Sequence, residues 1–203
     1  FEPIDGLSID AGVRYETAKQ SVTPQQVFTV PSNSLAGTQL DNAYWLPAGT
    51  ITWEVMPQMQ VRLHASKTIA RPQFRELIFQ LYFDPESDRL FRGNPLLQDS
   101  KLFNAEARWE WYYASEQRVS VAGFYKKIDN PIEAFTGFSD NAPQTSFANA
   151  PRATLYGAEF EVQKYFDLNS LGGFFSNRRL VTVANYTYTK SKIQVKSGDT
   201  VAI

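Results

Sequence analysis

The most regular signal in the chain is Phe103-Asn104-Ala105-Glu106-Ala107-Arg108-Trp109-Glu110-Trp111-Tyr112-Tyr113. Its odd positions are all apolar or aromatic, and its even positions are Asn104, Glu106, Arg108, Glu110 and Tyr112. Successive side chains of a strand point to opposite faces, so this segment reads as a β-strand with one apolar and one polar face. The same alternation recurs over residues 7–16, 50–55, 60–69, 117–127, 154–166 and, less cleanly, 181–190. Leu7, Ile9, Ala11, Val13 and Tyr15, for example, oppose Ser8, Asp10, Gly12, Arg14 and Glu16. Seven such segments predict an all-β fold, an antiparallel meander of long amphipathic strands.

Between them, Met56-Pro57-Gln58-Met59 and Ala114-Ser115-Glu116-Gln117 are tight hairpin turns. Residues 17–49, 70–102 and 128–153 are long, polar connections, of a length that is usually functional. Within the second, Phe74, Leu77, Ile78 and Leu81 are spaced as on a helix, with Pro72 suited to a first helical position. A short helical stretch over 72–83, packed at the rim, is expected. Alternation does not say whether the apolar face meets lipid or a core. A soluble sandwich or small barrel acting as a ligand- or protein-binding module has the same period. Short turns at one end, long loops at the other and tyrosines crowding strand ends (Tyr15, Tyr112, Tyr113, Tyr125, Tyr165, Tyr188) favour a membrane barrel.

Composition narrows the function classes. The chain has 203 residues, a formal net charge of -1, one histidine and no cysteine. No basic excess is available to neutralise phosphates, which argues against nucleic acid as a partner. Thiol nucleophiles, disulfides and Cys-containing zinc sites are excluded, and no cofactor is implied. No apolar run is long enough for a transmembrane helix, but a mean hydropathy of -0.35 is compatible with alternating barrel strands. Aromatics make up 14% of the chain.

Five stretches carry a resemblance. They are Arg71-Pro72-Gln73-Phe74-Arg75-Glu76-Leu77 and Gly93-Asn94-Pro95-Leu96-Leu97, then Asn104-Ala105-Glu106 to Trp111-Tyr112-Tyr113, Val119 to Glu133 with its Phe124-Tyr125-Lys126-Lys127-Ile128-Asp129-Asn130-Pro131-Ile132 core, and Ala153-Thr154-Leu155-Tyr156-Gly157-Ala158-Glu159-Phe160-Glu161-Val162. Their order and spacing resemble the C-terminal half of the barrel in TonB-dependent outer-membrane receptors, over residues 45–190. The resemblance implies a segment of a large, roughly 22-stranded transmembrane β-barrel in the outer membrane of Gram-negative cells. It implies import of a bulky, scarce ligand of the ferric siderophore, cobalamin or oligosaccharide class, driven by the TonB complex. The implied partners are that ligand at the outer loops, membrane lipid, the plug domain, and TonB through the plug. Neither a plug nor a TonB box is found in residues 1–203, so the chain is expected to be a partial barrel domain with two open edges.

Several residues invite a site. Tyr44, Trp45, Phe79, Tyr82, Phe135 and Phe138 are loop aromatics that could line a ligand vestibule, anchor at an interface or pack the loops. Glu159 and Glu161 share a face about 6.6 Å apart, a separation available to glycosidases, whereas a charged barrel wall explains them more simply. His64 lacks a serine elbow and reads as a wall residue. Asp84, Glu86 and Asp88 faintly resemble the start of a calcium loop, but Arg89 stands where glycine is needed. No catalytic and no metal residue is assigned, and the chain is expected not to be an enzyme.

Overall fold

The computed structural model describes residues 4–23, 37–139 and 142–195; the side chains at 138, 139 and 142 fall outside that description. Seven long strands form one antiparallel sheet: β1 (Leu7–Val22), β2 (Thr38–Met56), β3 (Met59–Ala70), β6 (Ser100–Ala114), β7 (Gln117–Asp129), β10 (Arg152–Asp167) and β11 (Arg179–Gln194). Spatial order follows chain order, and β1 and β11 are the two edges. The predicted meander is therefore the observed one. Its register brings like faces together. Val61 lies opposite Trp109, Trp109 opposite Val121 and Val121 opposite Phe160, while Gln60 opposes Glu110 and Glu110 opposes Ser120.

The two faces differ in exposure. On the apolar face Val13, Ile51, Trp53, Leu63, Trp111, Val121, Tyr156 and Phe160 are between 40% and 61% exposed. On the polar face Glu110 and Ser120 are buried at 5% and 2% exposure. A soluble sandwich would bury the first set and wet the second. The sheet thus leaves its apolar face uncovered and packs its polar face against itself.

Both tight turns form as expected. Gln58 (φ 67°) and Glu116 (φ 58°) take left-handed conformations, and each hairpin shifts register nearby, between Glu54 and Met56 and between Trp111 and Ala114. A third connection at this end, residues 168–178, is built from two 3₁₀ turns, Asn169–Leu171 and Gly173–Phe175. The Asp167 carboxylate accepts the Asn169 backbone N–H at 2.9 Å and helps start the first of them.

At the opposite end the structure corrects the sequence reading twice. First, the strands run well past the predicted ends: β1 has 16 residues and β2 has 19. At about 3.3 Å per residue and a tilt near 45°, 16 residues stand roughly 37 Å tall, above an apolar band of about 25 Å. Beyond that band the outer face need not be apolar, so alternation fades while pairing continues. Second, the connections are folded. The expected helix over 72–83 is only α1 (Phe74–Leu77), and Leu81 already belongs to a hairpin of β4 (Leu81–Asp84) and β5 (Arg89–Arg92). The third connection contains another hairpin, β8 (Ile132–Ser139) with β9 (Ala142–Asn149). Parallel pairing of β5 with β9, Phe91 opposite Thr145, joins the two hairpins into a four-stranded sheet ordered β4-β5-β9-β8.

Candidate functional site: the outer loops and the polar wall

The loop sheet is held by a small core. Leu77 (0% exposed), Leu97 (1%) and Phe147 (8%) form it, with Val22, Leu40, Phe91 and Ile132 packed around. Each fully buried leucine contributes about 1.5–3 kcal/mol, enough to fix a loop. Val22 and Leu40 lie on the polar face of β1 and β2, by period two from Ser8 and Thr52. So do Gln20, Thr38, Asn42 and Tyr44. Gln20 Nε2 donates to the Pro72 carbonyl (3.1 Å), Thr38 Oγ1 donates to the Pro95 carbonyl, and Asn42 Nδ2 and the Tyr44 hydroxyl donate to Asp99 (3.1 and 2.9 Å). The second loop therefore folds inward, over the outer end of the polar face.

The Gly93-Asn94-Pro95-Leu96-Leu97 stretch is the hinge of that fold. A Cβ on Gly93 would sit 2.4 Å from the Ile78 carbonyl oxygen and 2.7 Å from its nitrogen, so only glycine lets the return strand pass α1. Asn94 uses both ends of its side chain: Nδ2 donates to the Phe147 carbonyl (2.9 Å) and Oδ1 accepts the Leu96 N–H (2.9 Å). It thereby ties the second loop to the third. Asn149 adds a second tie, donating to the Gln98 and Asn130 carbonyls at 3.0 and 2.8 Å.

The six loop aromatics separate into distinct places. Tyr44 is tied to Asp99 beneath the loop. Trp45, 67% exposed, stands on the apolar face with its ring 4.8 Å from Tyr15. Tyr82 stacks on Phe91 (5.7 Å), which stacks on Phe147 (6.0 Å), so Tyr82 continues the loop core. Burial raises its phenol pKa above the ordinary value. Phe79 lies under the Arg92 guanidinium at 5.4 Å. Phe135 opposes Ser146 across β8–β9, on the side of the loop sheet away from Phe147. Phe138 pairs with Pro143, but its side chain is outside the described residues. The sequence reading gave Leu81 to a helix and passed over Phe83; both share Phe135's side of the sheet and are 43% and 56% exposed. Alternation within the four-residue β4 is the only signal that could have shown them.

Below the loops the polar wall is occupied by its own pairs. Arg108 bridges Glu106 (3.0 Å) and Glu159 (3.3 Å), Arg118 holds Glu161 (2.5 Å), and Arg62 approaches Glu110 (3.7 Å). Glu159 and Glu161 are thus each taken by a guanidinium. His64 lies between Thr50 Oγ1 (2.9 Å) and Ser66 Oγ (3.2 Å). Asp84 folds its carboxylate onto the Ser87 hydroxyl (2.7 Å), closing the β4–β5 turn. Among the described residues no group of three acidic, histidine or cysteine side chains converges to hold a metal.

Residues 1–202 match the model of a protein family described as TonB dependent receptor-like, beta-barrel. The chain belongs to this family. Its members are outer-membrane β-barrels that act as receptors and transporters, not enzymes. No curated protein matches the chain. Among solved structures, a mutant of the ferric enterobactin receptor PfeA from Pseudomonas aeruginosa, in complex with enterobactin, is similar over 80% of this chain and 23% of that one, at 16% identity and a TM-score of 0.55. The siderophore receptor PirA from Pseudomonas aeruginosa is similar over 91% of this chain and 32% of that one, at 15% identity and a TM-score of 0.56. At those identities the likeness is one of fold. The receptor barrel segment described here spans less than a third of either solved chain.

Proposed function

We propose that this chain forms part of the wall and outer loops of a TonB-dependent receptor in the outer membrane of a Gram-negative cell. The observation that carries the reading is the pairing of an uncovered apolar face with an ion-paired polar face, capped at one end by inward-folded loops. In hydrocarbon each unpaired backbone group costs several kcal/mol, so the free edges of β1 and β11 call for further strands of the same barrel. The remaining strands and the plug lie in other parts of the parent protein, and residues 1–203 act as one partial barrel domain.

Its ligand is bulky and scarce, and is carried inward without covalent chemistry. Two of the solved neighbours are siderophore receptors, which supports a ferric siderophore ahead of cobalamin or an oligosaccharide. The exposed side of the loop sheet, with Leu81, Phe83 and Phe135 and with Phe79 under Arg92, is the surface proposed to meet it. Three or four aromatic and aliphatic side chains beside a cation suit a large ligand with ring groups and negative charge.

The test is uptake of radiolabelled ferric siderophores by iron-starved cells expressing the full-length receptor, with and without a functional TonB. Uptake that requires both receptor and TonB is expected. Uptake equal to that of receptor-free cells across siderophore, cobalamin and oligosaccharide panels would overturn the transport reading.

A further inference from the structure

Charge on the apolar face is distributed unevenly from end to end. Toward the outer loops one hydrogen-bonded row runs Lys67–Phe103–Lys127–Thr154–Lys192 across β3, β6, β7, β10 and β11. Its lysines stand on alternate strands, two strand spacings or roughly 10 Å apart. Lys190 is two residues below Lys192 on the same face, opposite Tyr156, and Arg152 is two residues above Thr154, opposite Asp129. Lys67, Lys190 and Lys192 are exposed. Among the described residues of β3, β6, β7, β10 and β11 the one carboxylate on this part of the face is Asp129, which meets Lys127 at 3.2 Å and Arg152 at 3.1 Å; on β1 and β2 Lys19 and Asp41 pair with each other at 3.8 Å. Five cations thus face one acid. Lys101 is not counted, since its ammonium sits 5.4 Å over the Tyr44 ring.

At the turn end of the same face, β6, β7, β10 and β11 carry a single described cation, Lys164, and it lies 5.1 Å over the Phe166 ring. The polar face behaves differently again, because its arginines are matched by glutamates at 2.5–3.7 Å. Lys127 and Arg152 share the single Asp129 carboxylate, and among the described residues Lys67, Lys190 and Lys192 have no protein counter-charge; immediately beneath them Tyr125 and Tyr156 begin the exposed apolar band, at 41% and 44% exposure.

We propose that the cations on the outward face of β3, β7, β10 and β11 hold phosphate groups on the headgroups of lipids in the outer leaflet, whose acyl chains cover the band below. The geometry suits a lipid better than a soluble anion. The cations sit at the upper edge of a surface that must be covered by hydrocarbon, and the tyrosines lie at the depth where amphipathic rings settle. The spacing of about 10 Å lets separate lysines reach separate phosphates, so a polyanionic headgroup gains from several at once. This rests on the outer-membrane reading above.

The experiment uses the full-length receptor in phosphatidylcholine nanodiscs, with lipid A bearing two phosphates, dephosphorylated lipid A and inorganic pyrophosphate as probes. The variants are K127Q/K190Q/K192Q and, as a control at the other end of the face, K164Q. Each cation near an anionic surface strengthens binding by roughly fivefold, so the triple variant should lose on the order of a hundredfold in lipid A affinity. K164Q should bind as the parent does, and dephosphorylated lipid should bind weakly to all. Triple-variant binding within about twofold of the parent, or no preference for the phosphorylated lipid, overturns the proposal while leaving the receptor reading intact. Pyrophosphate binding as tightly as lipid A, and lost in the same variant, reassigns the patch to a soluble anion and also overturns it. Failure of the parent to insert into the bilayer would instead sink the outer-membrane reading, and this proposal with it.

Discussion

Gly93 shows how one residue positions a loop. Its α-hydrogen faces backbone atoms of Ile78 and Glu76, and a Cβ there would come within 2.8 Å of three of them. Backbone cannot rotate away as a side chain can, so Gly93→Ala must push α1 off its seat over β1 and β2. The expected cost is about 1–3 kcal/mol, as for other overpacked sites. It should appear as faster hydrogen exchange at the Gly93 and Asn94 amides and faster proteolysis within residues 71–99, with the barrel strands unaffected. Unchanged exchange would mean that the loop has another way past α1. A second residue-scale expectation concerns Asp84. The Ser87 hydroxyl, and after it the Glu86 backbone N–H, hold its carboxyl below the ordinary value, against a smaller opposing effect of burial. A carboxylate with a depressed pKa stabilises the fold above its unfolded pKa of about 3.9 and loses that contribution as pH falls through the folded value. The β4–β5 turn should therefore loosen in acid, and Ser87→Ala should raise the Asp84 pKa in a carboxyl ¹³C NMR titration. An unmoved titration would remove Ser87 as the cause.

At the scale of elements, the seven long strands are legible in the sequence because each has one face in contact with a single kind of surroundings for about ten residues. The loop hairpins are not. β4 and β5 are four residues each, too short for a period to establish itself, and β5 finds its partner β9 in another loop through parallel pairing that no local pattern announces. The candidate aromatics suffer from the same blindness. Tyr82 and Phe83 are neighbours in sequence, yet one continues the Phe91–Phe147 stack and the other faces out. The loop core also predicts that the two loops move as one. Phe147 reaches Phe91 of the second loop and packs with Leu77 and Leu97. Phe147→Ala should cost about 3–5 kcal/mol of local stability. Amide protection should fall together in β4–β5, in β8–β9 and at the outer ends of β1 and β2 near Val22 and Leu40. Loss confined to β8–β9 would show that the hairpins are independent and that their pairing is incidental.

For the whole molecule, the decisive quantity is which side of the sheet is dry, and the tryptophans report it directly. All four, Trp45, Trp53, Trp109 and Trp111, lie on the apolar face, and Trp53 and Trp111 are 51% and 41% exposed. They also occupy different heights. Trp53 and Trp109 belong to the row that contains Val61, Val121 and Phe160, Trp111 sits close to the β6–β7 turn, and Trp45 pairs with Tyr15 near the loop end. In bilayers whose acyl chains carry bromine, the receptor should lose tryptophan fluorescence in a depth-dependent way. Bromines near the chain ends should quench Trp53 and Trp109 most, and bromines near the headgroups should quench Trp45 and Trp111 most, as an interfacial girdle requires. Replacing Trp53 and Trp109 with phenylalanine should remove the deep component and leave the shallow one. A tryptophan in a protein core would be blind to both bromine positions. Quenching of all four by the bromines near the headgroups, with none by those near the chain ends, would instead indicate a sheet lying on the membrane surface, with its strands along the bilayer and not across it.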